Sequence, residues 1–209
     1  MLALVKSPKY PAFDNLELEH EQEFSFRPWQ ALKPVTTGDT APDFIFEKDS
    51  YRWQHFHNGM EGYPTVPLRQ LFNKTLVLTF YSSAWQEHGL DMLNQLSAIQ
   101  QEFGTNDANL LVIHAEKGRR LEKLAWDNGL TLSFYLDAEN NIAEKFGIYS
   151  ENDPVWNRFS GIDNNVPLLA AYVIAPHGRI LYDYIESDFS GRIPSENIVL
   201  ALRLQDFNK

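Results

Sequence analysis

Ser82, Ser83, Glu87 and His88 lie between positions 82 and 88 and bring together a hydroxyl, a carboxylate and an imidazole, the groups of an acid–base or nucleophilic site. Adjacent residues on a helix point about 100° apart, so Glu87 and His88 do not form a ready-made dyad. No Gly-x-Ser-x-Gly elbow is present to hold a strained serine, and helix capping and solvation account for the same residues more simply. His55 and His57 would project from the same side of a strand with Cβ atoms roughly 7 Å apart, a spacing that permits chelation. A catalytic zinc takes three protein ligands, and the sequence nominates no third among Asp49, Glu61, His88 and His114. We therefore assign no metal, no cofactor and no catalytic residue. Aromatic residues with polar tips, Tyr81 and Trp85 with Trp53 and Trp156, could line a hollow for a small molecule or a protein partner. Trp156, Arg158 and Phe159 form a candidate contact loop, unless Trp156 and Phe159 fold inward as a lid. The chain of 209 residues has no cysteine, which removes disulfides, thiolate metal sites, redox thiol pairs and cysteine nucleophiles together.

The elements that would carry these groups alternate. Leu76 to Phe80 is a short apolar run of the kind found in a buried strand. A helix from about Trp85 to Phe103 follows, with Leu90, Leu93, Leu96, Ile99 and Phe103 as its apolar stripe. Asn109 to His114 and Ser133 to Leu136 read as strands on either side of a helix from Arg119 to Asp127, which Asn128-Gly129 stops. Asn141 to Phe146 is a short helix ended by Gly147. The segment from Tyr149 to Val166 is mostly loop, with a short helix near Trp156. Ala170 to Ala175 and Arg179 to Ile185 make a hairpin, and Ser195 caps a last helix. Tyr51 to Tyr63 reads as an inserted hairpin, within about 49–66, that turns at Asn58-Gly59. Between Leu16 and Phe26, apolar residues and His20 and Gln22 alternate with acidic ones, the period of a strand with a negatively charged face. This order predicts an α/β fold with a mixed sheet covered on both faces, divided into a strand-rich N-terminal extension over 1–36 and one domain over 37–209.

Lys and Arg number 18 against 28 Asp and Glu, a formal charge of -10, and no basic run gathers the minority charge, so nucleic acid is not an expected partner. No apolar stretch approaches the roughly 20 residues a bilayer span requires, and the apolar start Met1 to Val5 is cut short by Lys6, Pro8 and Lys9. A cytoplasmic location is the expectation.

Three passages resemble the peroxiredoxin-like alkyl hydroperoxide reductase and thiol-specific antioxidant family. Gly38, Ala41, Pro42 and Phe44 fit its opening Gly-x-x-Ala-Pro-x-Phe segment. Leu76 to Trp85 looks like its first core strand and active-site loop, whose usual ending Phe-Tyr-x-x-x-Trp-Cys here reads Phe80-Tyr81-Ser82-Ser83-Ala84-Trp85-Gln86. Val166 to Ile180, with the Arg192-Ile193-Pro194 approach to the last helix, is similar to its late hairpin. The resemblance covers about 37–205 and implies a thioredoxin-like fold, a thiol-dependent peroxidase ancestry and a homodimer. In that family a cysteine thiolate at the helix start attacks the peroxide, helped by the helix N-terminus and an arginine. Gln86 stands at that position, Gly89 where some members carry a second cysteine, and Leu169 where the fold usually has proline. An amide neither ionises nor attacks a peroxide. The expectation is a fold that has lost thiol peroxidase chemistry and serves in binding or interaction, with Tyr81, Ser82, Ser83, Trp85, Gln86, Glu87, His88 and Leu169 around the former active site. The alternative is an oxidoreductase that uses a bound cofactor or metal in the same hollow.

Overall fold

The computed structural model describes residues 31–62, 71, 73–116, 120–187 and 194–206, so the strand expected over 16–26 lies outside the described residues. The described residues form seven strands: β1 (Trp53–His57), β2 (Met60–Gly62), β3 (Thr75–Tyr81), β4 (Ala108–His114), β5 (Leu132–Leu136), β6 (Ala170–Ile174) and β7 (Ile180–Ile185). They form one sheet in the order β2-β1-β5-β4-β3-β6-β7. The β3, β4 and β5 strands run parallel, while the β1–β2 and β6–β7 hairpins flank them antiparallel. The helices are α1 (Gln86–Asp107), α2 (Arg120–Asn128), α3 (Asn141–Lys145) and α4 (Ser195–Asp206).

All seven residues of both β3 and β4 are buried, which requires cover on both faces of the sheet and explains their near-continuous apolar sequence. Leu76, Leu78 and Phe80 point to one face, where Phe80 packs on Phe146 at 5.2 Å and Phe146 on Tyr172 at 4.9 Å between ring centroids. Val77, Thr79 and Tyr81 point to the other face, toward α1, whose buried stripe is Met92, Leu93, Leu96 and Ile99. The α1 helix continues to Asp107, past the expected end at Phe103; Gly104 alone does not stop it, and β4 starts at the next residue.

The first hairpin turns where the sequence predicts, with φ of 47° at Asn58 and 78° at Gly59, the left-handed pair of a type I′ turn. The entering chain is clamped twice. The Val35 N–H donates to the Phe146 carbonyl at 3.1 Å as the chain crosses Gly147, where a Cβ would stand 2.1 Å from the Lys33 carbonyl oxygen. Thr37 then donates its N–H and hydroxyl to the Asp183 carboxylate on β7 at 2.7 and 2.6 Å. Among the described residues no helix is long and apolar enough to cross a membrane.

Candidate functional site

Two adjacent parallel strands end side by side, with Tyr81 of β3 in register with His114 of β4, and the chain leaving each builds one cleft. After Tyr81, Ser82 keeps an extended backbone and its hydroxyl accepts the Ala84 N–H at 3.2 Å, capping a single 3-10 turn over Ser83–Trp85. Gln86 then opens α1 with φ 51° and ψ −126°, a backbone region that side chains other than hydrogen disfavour. Gln86 is exposed and lines a cleft of about 410 Å³. Ser82, Ser83, Glu116, Arg120, Asp163 and Asn164 contribute the other polar groups, with Ala84, Gly161 and Val166 between them.

Glu116, two residues beyond β4, lies against the turn that precedes α1. Its carboxylate accepts the Ser83 N–H and faces the Ser82 hydroxyl at 3.4 Å. The Ser83 N–H, just ahead of α1, is thus engaged by a carboxylate of the chain itself. Beneath it, burial pushes the Tyr81 phenol up from its ordinary range, with the nearby Glu116 charge adding to the shift, so Tyr81 stays protonated. Burial lowers the His114 imidazole to about 4 while Glu116 pulls in the opposite direction, so His114 is neutral. The His114 Nδ1 has no hydrogen-bond partner among the described residues.

Several residues expected at the hollow lie elsewhere. Trp85 is 1% exposed; its indole N–H donates to the Pro167 carbonyl at 2.9 Å, and its ring meets Phe159 edge-on at 5.0 Å. It is a core residue beneath the cleft rather than part of its lining. Tyr81 and Leu169 are also buried and outside the lining. Glu87 and His88 are exposed on α1 but do not line the cleft. Trp53 is half-buried, packing on Phe46 and Tyr135 with its indole N–H on the Glu47 carbonyl, against another part of the core and away from the cleft. In the candidate contact loop, Phe159 turns inward, Arg158 pairs with the buried Asp153 carboxylate, and Trp156 stays 47% exposed. The loop is neither a lid closed by both aromatics nor a patch presenting both.

His55 is half-buried with Nδ1 on the Ser133 hydroxyl at 2.8 Å, and burial followed by the neighbouring His57 lowers its pKa. Among the described residues no group of three or more His, Asp or Glu could hold a metal ion, and none of them supplies the pair with a third ligand. At position 89 a Cβ would lie 3.0 Å from the Tyr81 ring and 3.2 Å from the Ser82 carbonyl oxygen, so α1 approaches β3 here because the residue is glycine. Glu116, Arg120, Asp163 and Asn164 went unrecognised in the sequence. The available signal was the C-terminal end of two parallel strands, where residues just past Tyr81 and His114 must meet.

A mixed sheet with a long helix starting one short turn after the inner strand β3, and a polar cleft at that corner, defines a thioredoxin-like α/β protein of the peroxiredoxin type. The AhpC/TSA family profile matches residues 37–183, and the chain belongs to that family as a member without the peroxidatic cysteine. The fold is similar to that of the reduced 2-Cys peroxiredoxin of Plasmodium vivax, at 17% identity over 84% of each chain with a TM-score of 0.57. The Mycobacterium tuberculosis peroxidoxin BcpB aligns at 20% identity over 81% of this chain and 97% of its own, with a TM-score of 0.55. Mycobacterium tuberculosis AhpC aligns at 13% identity over 83% and 99%, with a TM-score of 0.57. No curated protein matches the chain.

Proposed function

We propose that the protein has exchanged thiol peroxidase chemistry for the binding of a small polar ligand in the cleft at the head of α1. The observation that carries this is Gln86: a carboxamide opens the helix after the central strand in a chain without cysteine, and it faces a cleft of about 410 Å³. The lining suits a molecule with groups of both polarities, since Arg120 offers a cation, Glu116 and Asp163 offer anions, and Gln86 and Asn164 offer amides. A homodimer belongs to the same proposal and is read by sedimentation equilibrium.

Two measurements test it on the whole protein. With a thiol reductant and either hydrogen peroxide or an organic hydroperoxide, the expected rate is that of the uncatalysed reaction; turnover abolished by no metal chelator would overturn the loss of peroxidase activity. Small zwitterions and amides at millimolar concentration are expected to shift the side-chain amide NMR signals of Gln86 and Asn164. A panel that moves neither signal refutes ligand binding at this cleft.

A further inference from the structure

A second depression, independent of the cleft, lies between the β1–β2 hairpin and α2. It encloses about 590 Å³, with Phe56 buried at its base and Met60 and Trp126 on its walls. Met60 is 59% and Trp126 65% exposed, although α2 has its own core contacts through Leu121 and Ala125. Gly59 sets the geometry: a Cβ there would stand 2.8 Å from the Ala125 carbonyl oxygen and from the Trp126 Cα, so the turn touches the end of α2 only because it is glycine. The rim is acidic. Glu61 and Glu122 line it, while Lys123, the lining cation, is ion-paired with Asp127 along the helix.

Among the described residues the backbone beside this groove is uncovered. In the sheet order β2 is terminal, and among the described residues no strand pairs with its outer edge. In a two-residue type I′ hairpin the pair flanking the turn, His57 and Met60, exchanges its hydrogen bonds. The next pair, Phe56 and Glu61, therefore directs its N–H and C=O groups away from each other, those of Phe56 toward β5 and those of Glu61 to the outer edge of the sheet. Phe56 and Glu61 share a face, so the Glu61 side chain enters the groove while its backbone offers a donor and an acceptor outside.

We propose that this edge and groove dock an extended basic segment of a partner protein. The segment adds a strand to β2 at Glu61, and a Lys or Arg opposite Glu61 lies on the Trp126 indole, its charge matched by Glu61 and Glu122. Strand addition supplies affinity through backbone bonds and specificity through side chains on one face. A cation on an indole, with a carboxylate directly across the strand pair, is favoured on both counts. A second copy of this chain fits less well, because a two-fold contact brings the same Glu61 and Glu122 onto themselves and the whole chain carries a charge of -10.

The test uses the full chain and short capped peptides alternating Val or Thr with Arg. The Arg peptide is expected to bind, to change an indole fluorescence signal that Trp126→Phe removes, and to protect the Glu61 amide from hydrogen exchange. Combined Glu61→Gln and Glu122→Gln substitution should weaken it about tenfold, and so should proline at alternate peptide positions, which deletes the backbone donors. Trp126 and Glu61 are exposed, and Glu122 is half-buried but keeps its shape as Gln, so these variants keep the fold. The proposal is overturned if a peptide with Glu in place of Arg binds equally well, if no Arg peptide binds at millimolar concentration, or if the Glu61 and Glu122 changes leave binding unaltered. Sedimentation showing a homodimer that Trp126→Ala dissociates would also overturn it, by giving the face to a second copy.

Discussion

Lowering the pH should unfold this protein in large part through His114. The side chain is 5% exposed, ends β4 opposite Tyr81, and packs edge-on to Phe134 at 6.1 Å with Nδ1 unpartnered among the described residues. Burial holds its folded pKa at about 4 against 6.5 in the unfolded chain. As pH falls through 6.5 the unfolded chain takes up this proton, and the folded protein does not until about 4. The contribution to stability is therefore complete above 6.5, is lost progressively on the way to about 4, and is level below. The two and a half pH units, at 1.36 kcal/mol each, amount to about 3 kcal/mol, a sizeable part of the 5–15 kcal/mol of a typical domain. Urea unfolding of the wild type and of His114→Leu, between about pH 7 and about pH 4, isolates the effect as a difference curve. His55, with its lowered pKa, and Asp137, whose raised pKa acts in the opposite direction, are common to both proteins and cancel. A difference that stays within about 0.5 kcal/mol across that range, or His114 ring signals titrating near 6.5, would refute the reasoning.

Other consequences are equally direct. Gln86→Gly should raise stability by about 1 kcal/mol, because relief of the backbone at φ 51° and ψ −126° exceeds the added entropy of glycine; a lower urea midpoint would contradict it. Arg158→Ala should cost about 2 kcal/mol by removing the cation from the buried Asp153 carboxylate, with the pair's partial exposure already discounted, whereas Trp156→Ala should stay within about 0.5 kcal/mol. Gln86→Cys gives a chain with a single thiol, so its alkylation rate against pH reports one site; adding Glu116→Gln should lower that thiol's pKa by about one unit, and an unchanged or higher value would exclude Glu116 as the opposing charge.

Much of the fold was legible because its signals are local. The Asn58-Gly59 turn follows from the two φ values that only such residues adopt cheaply, and the α1 stripe at Leu93, Leu96 and Ile99 follows from helical spacing. Buried strands such as β3 and β4 announce themselves by apolar runs bounded by polar residues. The cleft was less legible because its charges meet only through crossovers: Glu116 reaches Ser83 across 33 positions, and Asp163 and Asn164 come from a loop without periodicity. Trp85 misled for a related reason. A tryptophan in the short turn between a strand and a helix carries no mark of the face it will take, and the carbonyl that satisfies its indole N–H belongs to Pro167, 82 positions away.

The corner between β3 and α1 also explains why Gln86 and Glu116 belong together. By the family resemblance, a peroxidatic thiolate there depends on donors and positive charge at the helix start. In this chain the Ser83 N–H is engaged by Glu116, and a carboxylate beside that turn would raise the pKa of any thiol placed at position 86. A neutral carboxamide meets no such conflict. Beyond the local backbone cost at Gln86 the fold is not burdened, because Met92, Leu93, Leu96 and the buried β3 residues hold α1 against the sheet whatever side chain faces the cleft. The packing that positions the helix head is thus separable from the chemistry performed there, which is the physical condition for a family member to keep the architecture while its reactive atom is replaced.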